Sequence, residues 1–503
     1  MKRTSGILMP MSSLPSPWGI GTLGKAAYEF ADFLASAGQK YWQLLPLGPT
    51  SYGDSPYSSF STYAGNPYFI DLDMLSEEGL LKKSEYDSIN WGTEPGYIDY
   101  GKIYESRFKV LRLAFERGRW LYAQEISAFR RENAGWVENY ALYMAVKADF
   151  GMISWQEWPD EEIRLRRPAA LRAYYERLRD EVDFYIFLQF LFFRQWNALR
   201  DYIHEKGLLI VGDVPIYVAL DSADVWSEPG QFQLDEKGHP LEVSGVPPDA
   251  FTDDGQLWGN PLYNYDAMAS DGYNWWIRRI GGAEKLFDII RIDHFRGFES
   301  YWAVPYGDKT AKNGVWRKGP GMRLVGVLTG WFNNIKFIAE DLGVITPEVE
   351  ALLKDSGLPG MKVLQFAFDP EGDSDYLPHN CSGHSVCYTG THDNETVTGW
   401  VKNAKPEELE FAREYLNYKE GESWPWLMIR TGLSTNSEIF IMTMQDALEK
   451  DEYARMNLPG SVGKNWQWRM KPGEADRTLA EKIRHYTALY RRLEVEEETD
   501  EEV

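Results

Sequence analysis

The sequence predicts an α/β chain organised as a (β/α)8 barrel with large helical and loop insertions and no C-terminal β-sandwich. Three observations lead there. Short apolar runs recur eight times, helical patterns lie between them, and several of the runs end in an acid. The run Ile289-Ile290-Arg291-Ile292 breaks strict alternation, which is how a strand covered on both faces reads. Eight such strand–helix repeats are the pattern of a closed parallel barrel, whose chemistry sits at the C-terminal ends of its strands. At 503 residues the chain exceeds ordinary domain size, so it holds either several domains or one barrel with insertions. The repeats favour the barrel.

The elements follow in order. Gly6-Ile7-Leu8-Met9 is the first strand. Ala27, Phe30, Ala31 and Leu34 fall at i, i+3, i+4 and i+7 and predict a helix that Gly38 stops. Residues 41–47 form the second strand, so the chain opens with a βαβ unit. The loop GPTSYGDSPYSSFSTYAGNPYFID then places four tyrosines and two phenylalanines outside any periodic pattern. Such rings either stack on sugars or pack beneath their own loop. Residues 73–207 turn helical, with patterns over 105–117, 136–150, 160–183 and 184–206. That length predicts a mainly helical insertion after strand 2. The third strand, 208–216, carries Asp213. Residues 219–286 read as a loop-rich insertion in which Gln256, Trp258 and Asn260 suit binding and Pro247-Pro248 adds stiffness. Runs at 289–293, 337–341, 361–366, 385–391 and 439–446 complete the eight, and the acidic residues 494–503 predict a solvated tail without fixed structure.

Composition narrows the partners. A formal charge of −23 argues against nucleic acid, which selects basic surfaces. Cys381 and Cys387 are too few for a disulfide framework and lack metal-ligand company, so they read as free thiols of a cytoplasmic protein. After Lys2-Arg3 the apolar run reaches only Met9 before Pro10, too short for a secretory signal. The greasiest stretch, 184–193, is interrupted by Gln189 and is too short to cross a bilayer. No membrane association is expected.

Arg291 and Asp293 share one parity, so both point to one face at the end of their strand. A structural ion pair is the plain alternative for the two alone. Acids recur, however, at Asp213, at Glu340-Asp341 and in His392-Asp393. Carboxyl groups on several strand tips, ringed by aromatic loops, suit glycosidic bond cleavage: one acid protonates the leaving oxygen and a second attacks the anomeric carbon. A third carboxylate would stabilise the cationic transition state. A Mg²⁺ site and plain ion pairs are the rival uses, and the chain has no phosphate-cradling glycine loop to accompany the metal. Isolated histidines such as His204 and His239 read as surface or structural groups.

The strings GDSPY-SFS-AGNPY, GDVPIYV, RIDHFRGF, IAEDLG, THDNET and ARMN-PG-VG-NW-WR together resemble glycoside hydrolase family 77, the 4-alpha-glucanotransferases of the alpha-amylase clan, from Gly6 to about Arg469. The resemblance implies Asp293 as nucleophile, Glu340 as general acid/base and Asp393 as transition-state stabiliser. It also implies that Arg291 orients Asp293, that Asp213 and His392 hold the cleaved sugar, and that Tyr57 stacks beneath it. Gln256 and Trp258 fall in a loop that partly covers the donor cleft in that family, and Tyr52 resembles part of a secondary glucan-binding surface. The implied substrates are maltooligosaccharides and starch- or glycogen-type α-1,4-glucans, with no cofactor and no metal. A retaining hydrolase using the same acids and a non-catalytic glucan-binding barrel are the competing functions.

Overall fold

The computed structural model describes residues 3–51, 53–248, 253–461 and 463–494. Tyr52 and all of the acidic tail beyond Glu494 lie outside these. Eight parallel strands form the barrel: β1 (Thr4–Leu8), β2 (Tyr41–Gln43), β3 (Leu209–Val214), β4 (Ile289–Ile292), β5 (Lys336–Ala339), β6 (Gly360–Val363), β7 (Ser385–Tyr388) and β8 (Ile439–Thr443). Their order around the sheet is β6-β7-β8-β1-β2-β3-β4-β5. At the β5–β6 seam the Ala339 N–H donates to the Pro359 carbonyl at 3.0 Å. The Met361 N–H donates to Asp341 Oδ1 at 2.6 Å. Asp341, the second acid of the EDLG string, therefore closes the barrel. Gly360 leaves it room, since a Cβ there would lie 2.5 Å from Asp341 Oδ2.

Side chains alternating inward along the strands fill the barrel. Leu8, Tyr41, Val211, Ile289, Ile338, Met361, Val386, Tyr388 and Ile441 form a buried inner cluster. The opposite strand faces pack on helices such as Lys25–Ser36, which buries Ala27, Phe30, Ala31, Phe33 and Leu34. Gly6 sits in β1 where a Cβ would meet the Tyr41 backbone oxygen at 2.5 Å and Ile441 at 2.9 Å. Only glycine lets those neighbours meet across the barrel.

Between β2 and β3 the chain is largely helical, ending in the 27-residue helix Arg179–Glu205. Gln189, the polar residue in its greasy stretch, is fully buried. Its side chain accepts from the Gly65 N–H at 2.8 Å and donates to the Gly65 carbonyl at 2.9 Å. Gln195 treats Asp71 the same way. The helix thus pins the loop that follows β2 at two points, satisfying backbone groups that burial would otherwise orphan. The buried ammonium of Lys147 meets Asp221 at 2.6 Å and ties the segment after β3 to the same helical unit. No helix among the described residues is long and apolar enough to cross a membrane.

Several boundaries differ from expectation. The 160–183 pattern is interrupted between Glu161–Arg164 and Pro168–Arg177, where Arg166 turns left-handed (φ 56°) ahead of Pro168. The next helix then runs through 183/184 without a break. The 219–286 stretch is more ordered than a loop: Glu242–Val246 and Gln256–Pro261 pair antiparallel and join Ser300–Pro305 and Val315–Lys318 in a four-stranded sheet. It also contains helices Tyr265–Ser270 and Asn274–Glu284.

Candidate active site

The mouth of the barrel is charged because the inward columns change character along their length. In β4 the column reads Ile289, Arg291 and then Asp293. In β3 it reads Val211 and then Asp213, with Asp213 and Arg291 as register partners. The apolar layer lies at the bottom and the ionic layer above it.

Arg291 Nη1 donates to both Asp213 oxygens at 2.7 Å and to Asp293 Oδ1 at 3.1 Å. Asp213 is fully enclosed, whereas the Asp293 side chain is 26 % exposed. Tyr57, from the loop after β2, donates its hydroxyl to Asp213 Oδ2 at 2.7 Å and lies 3.2 Å from His392 Nδ1. The Tyr57 and His392 rings also stack, with centroids 4.8 Å apart. His392 Nε2 in turn lies 3.3 Å from Asp393 Oδ1. A phenol has one proton, and the 2.7 Å contact gives it to Asp213. The Tyr57 oxygen then accepts from Nδ1–H, while Nε2–H faces a carboxylate. Both contacts are satisfied together when each ring nitrogen carries a hydrogen, so the surroundings favour the imidazolium form of His392. In agreement, Asp393's charge and hydrogen bond outweigh burial and raise the His392 pKa.

Asp393 receives a further hydrogen bond from Asn457 Nδ2 at 2.6 Å, and Arg455 Nη2 holds its backbone carbonyl at 2.7 Å. Desolvation pushes the Asp393 carboxyl up, but the charge of His392 and the hydrogen bonds from His392 and Asn457 override it and hold the pKa at about 2. Asp393 is ionised throughout the neutral range.

Glu340 follows β5. Its Oε2 accepts the His294 N–H at 2.7 Å and its Oε1 the Leu342 N–H at 2.8 Å. The first of these bonds depends on a left-handed turn at His294 (φ 51°, ψ 47°), a conformation rare for a bulky residue. The turn follows Asp293 directly, so one bend places the nucleophile candidate and the Glu340 support together. Burial pushes Glu340 up to about 7; Arg291 opposes the rise and Asp293 adds to it. Burial likewise lifts Asp293 to about 6 against the pull of Arg291. Two interacting carboxyls of this kind share their protons as a pair. His294 itself is driven down to about 3 by burial and then by Arg296, so it is neutral.

Asp293, Glu340, Asp393, Asp213, Arg291, His392 and Tyr57 meet in this network, whereas Asp341 lies at the β5–β6 seam and His204 pairs with Asp288. Trp258 meets the His294 ring edge-on at 4.8 Å, and its indole N–H donates to Gln256 Oε1 at 3.2 Å. In the aromatic loop, Tyr57 reaches the network, while Phe60, Tyr68 and Phe69 are buried under the loop and Tyr63 stacks on Trp136. A cleft lined by Tyr57, Asp213, Thr62 and Tyr217 opens on the Asp213 side. Sequence reasoning assigned no role to Asn457, Arg455 or Trp466, which packs against both Tyr57 and His392. All three lie in or beside the ARMN-PG-VG-NW-WR string, which was their one visible signal.

Comparison with known proteins gives a consistent result. Residues 9–476 match a family model described as 4-alpha-glucanotransferase. The chain is 48 % identical to the 4-alpha-glucanotransferase of Clostridium butyricum, over 97 % of this chain and 100 % of that one. It is 45 % identical to that of Thermus thermophilus, over 98 % and 100 %. Among solved structures it matches an amylomaltase from Streptococcus agalactiae in complex with acarbose, with a TM-score of 0.96, 41 % identity and coverage of 98 % and 100 %.

Proposed function

The chain belongs to the 4-alpha-glucanotransferase family, and we propose a division of labour among its residues for the transfer of α-1,4-glucan segments. Asp293 is the nucleophile, Glu340 the general acid/base and Asp393 the stabiliser of positive charge at the anomeric carbon. Asp213, Arg291, His392 and Tyr57 hold the sugar that is cleaved. The observation supporting this reading is the single hydrogen-bonded web that runs Asp293–Arg291–Asp213–Tyr57–His392–Asp393, with Glu340 attached through the His294 N–H.

A maltooligosaccharide or a starch- or glycogen-type chain binds across the mouth as donor. Glu340, whose raised pKa keeps a proton available near neutrality, protonates the departing 4-oxygen. Asp293 attacks the anomeric carbon and forms a covalent glucosyl-enzyme with inverted configuration. An acceptor 4-hydroxyl, deprotonated by Glu340, attacks in turn and restores the α linkage. In such retaining pairs the two carboxyl groups stand about 5–5.5 Å apart. The fixed charge of Asp393 faces the oxocarbenium-like transition state without having to reorganise.

Breaking one α-1,4 bond to form another is nearly thermoneutral, so no activated sugar is needed. Transfer outruns hydrolysis when water is kept from the intermediate, and Trp258, Gln256 and the Tyr57 loop are the groups placed to exclude it. The charge of −23 supports the absence of nucleic acid from the partners. The unpaired buried thiols Cys381 and Cys387 support a cytoplasmic location.

Incubation with maltotriose tests the reaction class. Transfer yields glucose and a ladder of longer chains with the total number of reducing ends constant. Steadily rising reducing ends would instead assign a hydrolase.

A further inference from the structure

The His392–Asp393 loop leaves β7 at Thr389 and re-enters regular structure at Val397, the first residue of helix Val397–Asn403. One buried side chain grips both ends. Asp446, fully inaccessible to solvent, accepts the Thr389 hydroxyl at Oδ2 (2.7 Å) and the Val397 N–H at Oδ1 (2.7 Å). Its own N–H donates to Thr443 Oγ1 at 3.1 Å, and Thr443 caps the short helix that follows β8. The carboxylate is therefore fixed to the end of one barrel strand while it brackets the loop that leaves the neighbouring strand. None of the ion pairs formed among the described residues involves Asp446. Its partners are neutral donors, and burial raises its pKa above the ordinary carboxyl value.

We propose that Asp446 is a positioning residue for the glucan-transfer reaction, setting the depth at which Asp393 stands in the barrel mouth by clamping Thr389 to Val397. This rests on the role given to Asp393 above. Within the loop, Asn394 Oδ1 accepts the Thr391 N–H at 2.8 Å, Gln365 Nε2 holds the Glu395 carbonyl at 2.9 Å, and Arg455 holds the Asp393 carbonyl. These bonds shape the loop's interior, whereas Asp446 fixes where it starts and stops. A shift of about 1 Å in a stabilising carboxylate lowers a rate by about 100-fold, because its contribution belongs to the transition state and not to ground-state binding.

The test compares Asp446→Ala, Asp446→Asn and Thr389→Val, each alone and combined with Asp393→Asn. The readouts are kcat and KM for maltotriose and the thermal unfolding midpoint. Asp446→Ala is expected to lower kcat by about 100-fold with KM within about twofold. Asp446→Asn can accept from Val397 and donate to the Thr389 hydroxyl, so it recovers most of that loss. Thr389→Val releases one end of the clamp and lowers kcat less than Asp446→Ala does. In the Asp393→Asn background all three changes have little further effect, since the group they position is already gone. Equal losses in both backgrounds overturn the proposal, as does a lowered unfolding midpoint with kcat intact. Should Asp446→Ala fail to fold, Thr389→Val decides by the same two criteria. Full turnover by Asp393→Asn alone would instead sink the role of Asp393, a result separate from the behaviour of Asp446.

Discussion

Replacing Tyr57 with Phe removes one oxygen from the barrel mouth and keeps the ring that stacks on His392. That oxygen donates to Asp213 at 2.7 Å and sits 3.2 Å from His392 Nδ1. Asp213 keeps its two bonds from Arg291, so the larger loss falls on His392, whose Nδ1–H is left without an acceptor. A hydrogen bond to a charged group is worth about 1.5–3 kcal/mol. If the transition state needs the imidazolium in place, kcat/KM falls by about 10- to 150-fold. The pH dependence has a definite sign. In the parent, neighbouring Asp393 raises the His392 pKa, so the charged form persists to higher pH than in a free imidazole. Losing the Tyr57 acceptor destabilises that form, so loss of the His392 charge joins Glu340 deprotonation on the alkaline limb of kcat/KM and moves that limb to lower pH. Initial rates of glucose release from maltotriose across a pH series read both effects. A variant within about twofold of the parent, with an unshifted profile, would refute the relay Asp213–Tyr57–His392–Asp393.

Two further predictions follow from the same electrostatics. With Asp293 as nucleophile and Glu340 as acid, turnover needs the first ionised and the second protonated, and burial raises both carboxyls as one interacting pair; kcat/KM should be bell-shaped, falling on the acid side as the pair takes up a second proton and on the alkaline side as it loses its last. A flat profile from pH 5 to 9 would contradict the assignment of this pair. Asn457→Ala removes the 2.6 Å bond that helps keep Asp393 ionised, so the Asp393 pKa rises from about 2 and kcat drops by about tenfold, while Asn457→Asp places a second carboxylate against the first and costs more.

How much of this was legible in the sequence depends on where each residue sits. The eight barrel strands were visible because most of their residues are buried and read as mainly apolar runs, interrupted by Arg291 in β4 and Lys362 in β6. Their ends were less so. Leu44, Leu45 and Leu47 are as buried as the strand before them, so burial continued the pattern after the ladder had stopped; β6 ends at Val363, where buried Leu364 and Gln365 enter a 3-10 turn whose last residue, Phe366, is exposed. The antiparallel sheet was hidden by its composition: Gly245 accompanies a register shift, Gly255 and Gly259 take positive φ, and Pro247-Pro248 looks like a loop.

The acids could be found because a barrel brings strand tips together whatever the sequence distance between them. Asn457 and Arg455 could not be found by that route. They reach Asp393 across 64 and 62 positions from a segment without periodicity, and nothing local marks which of its polar groups turns inward. Asp446 was visible as the end of an apolar run, but the strand stops at Thr443, and Asp446 faces the loop of the neighbouring strand instead of the open mouth.

The claim on which the rest depends is that Asp293 carries the sugar between two displacements. Glu340→Gln incubated with α-maltosyl fluoride tests it, since fluoride departs without an acid while the second step lacks its base. Intact-mass analysis should show one added maltosyl group, and peptide mapping should place it on Asp293. An adduct on another carboxylate, or full turnover of the fluoride by Asp293→Asn, would contradict the account.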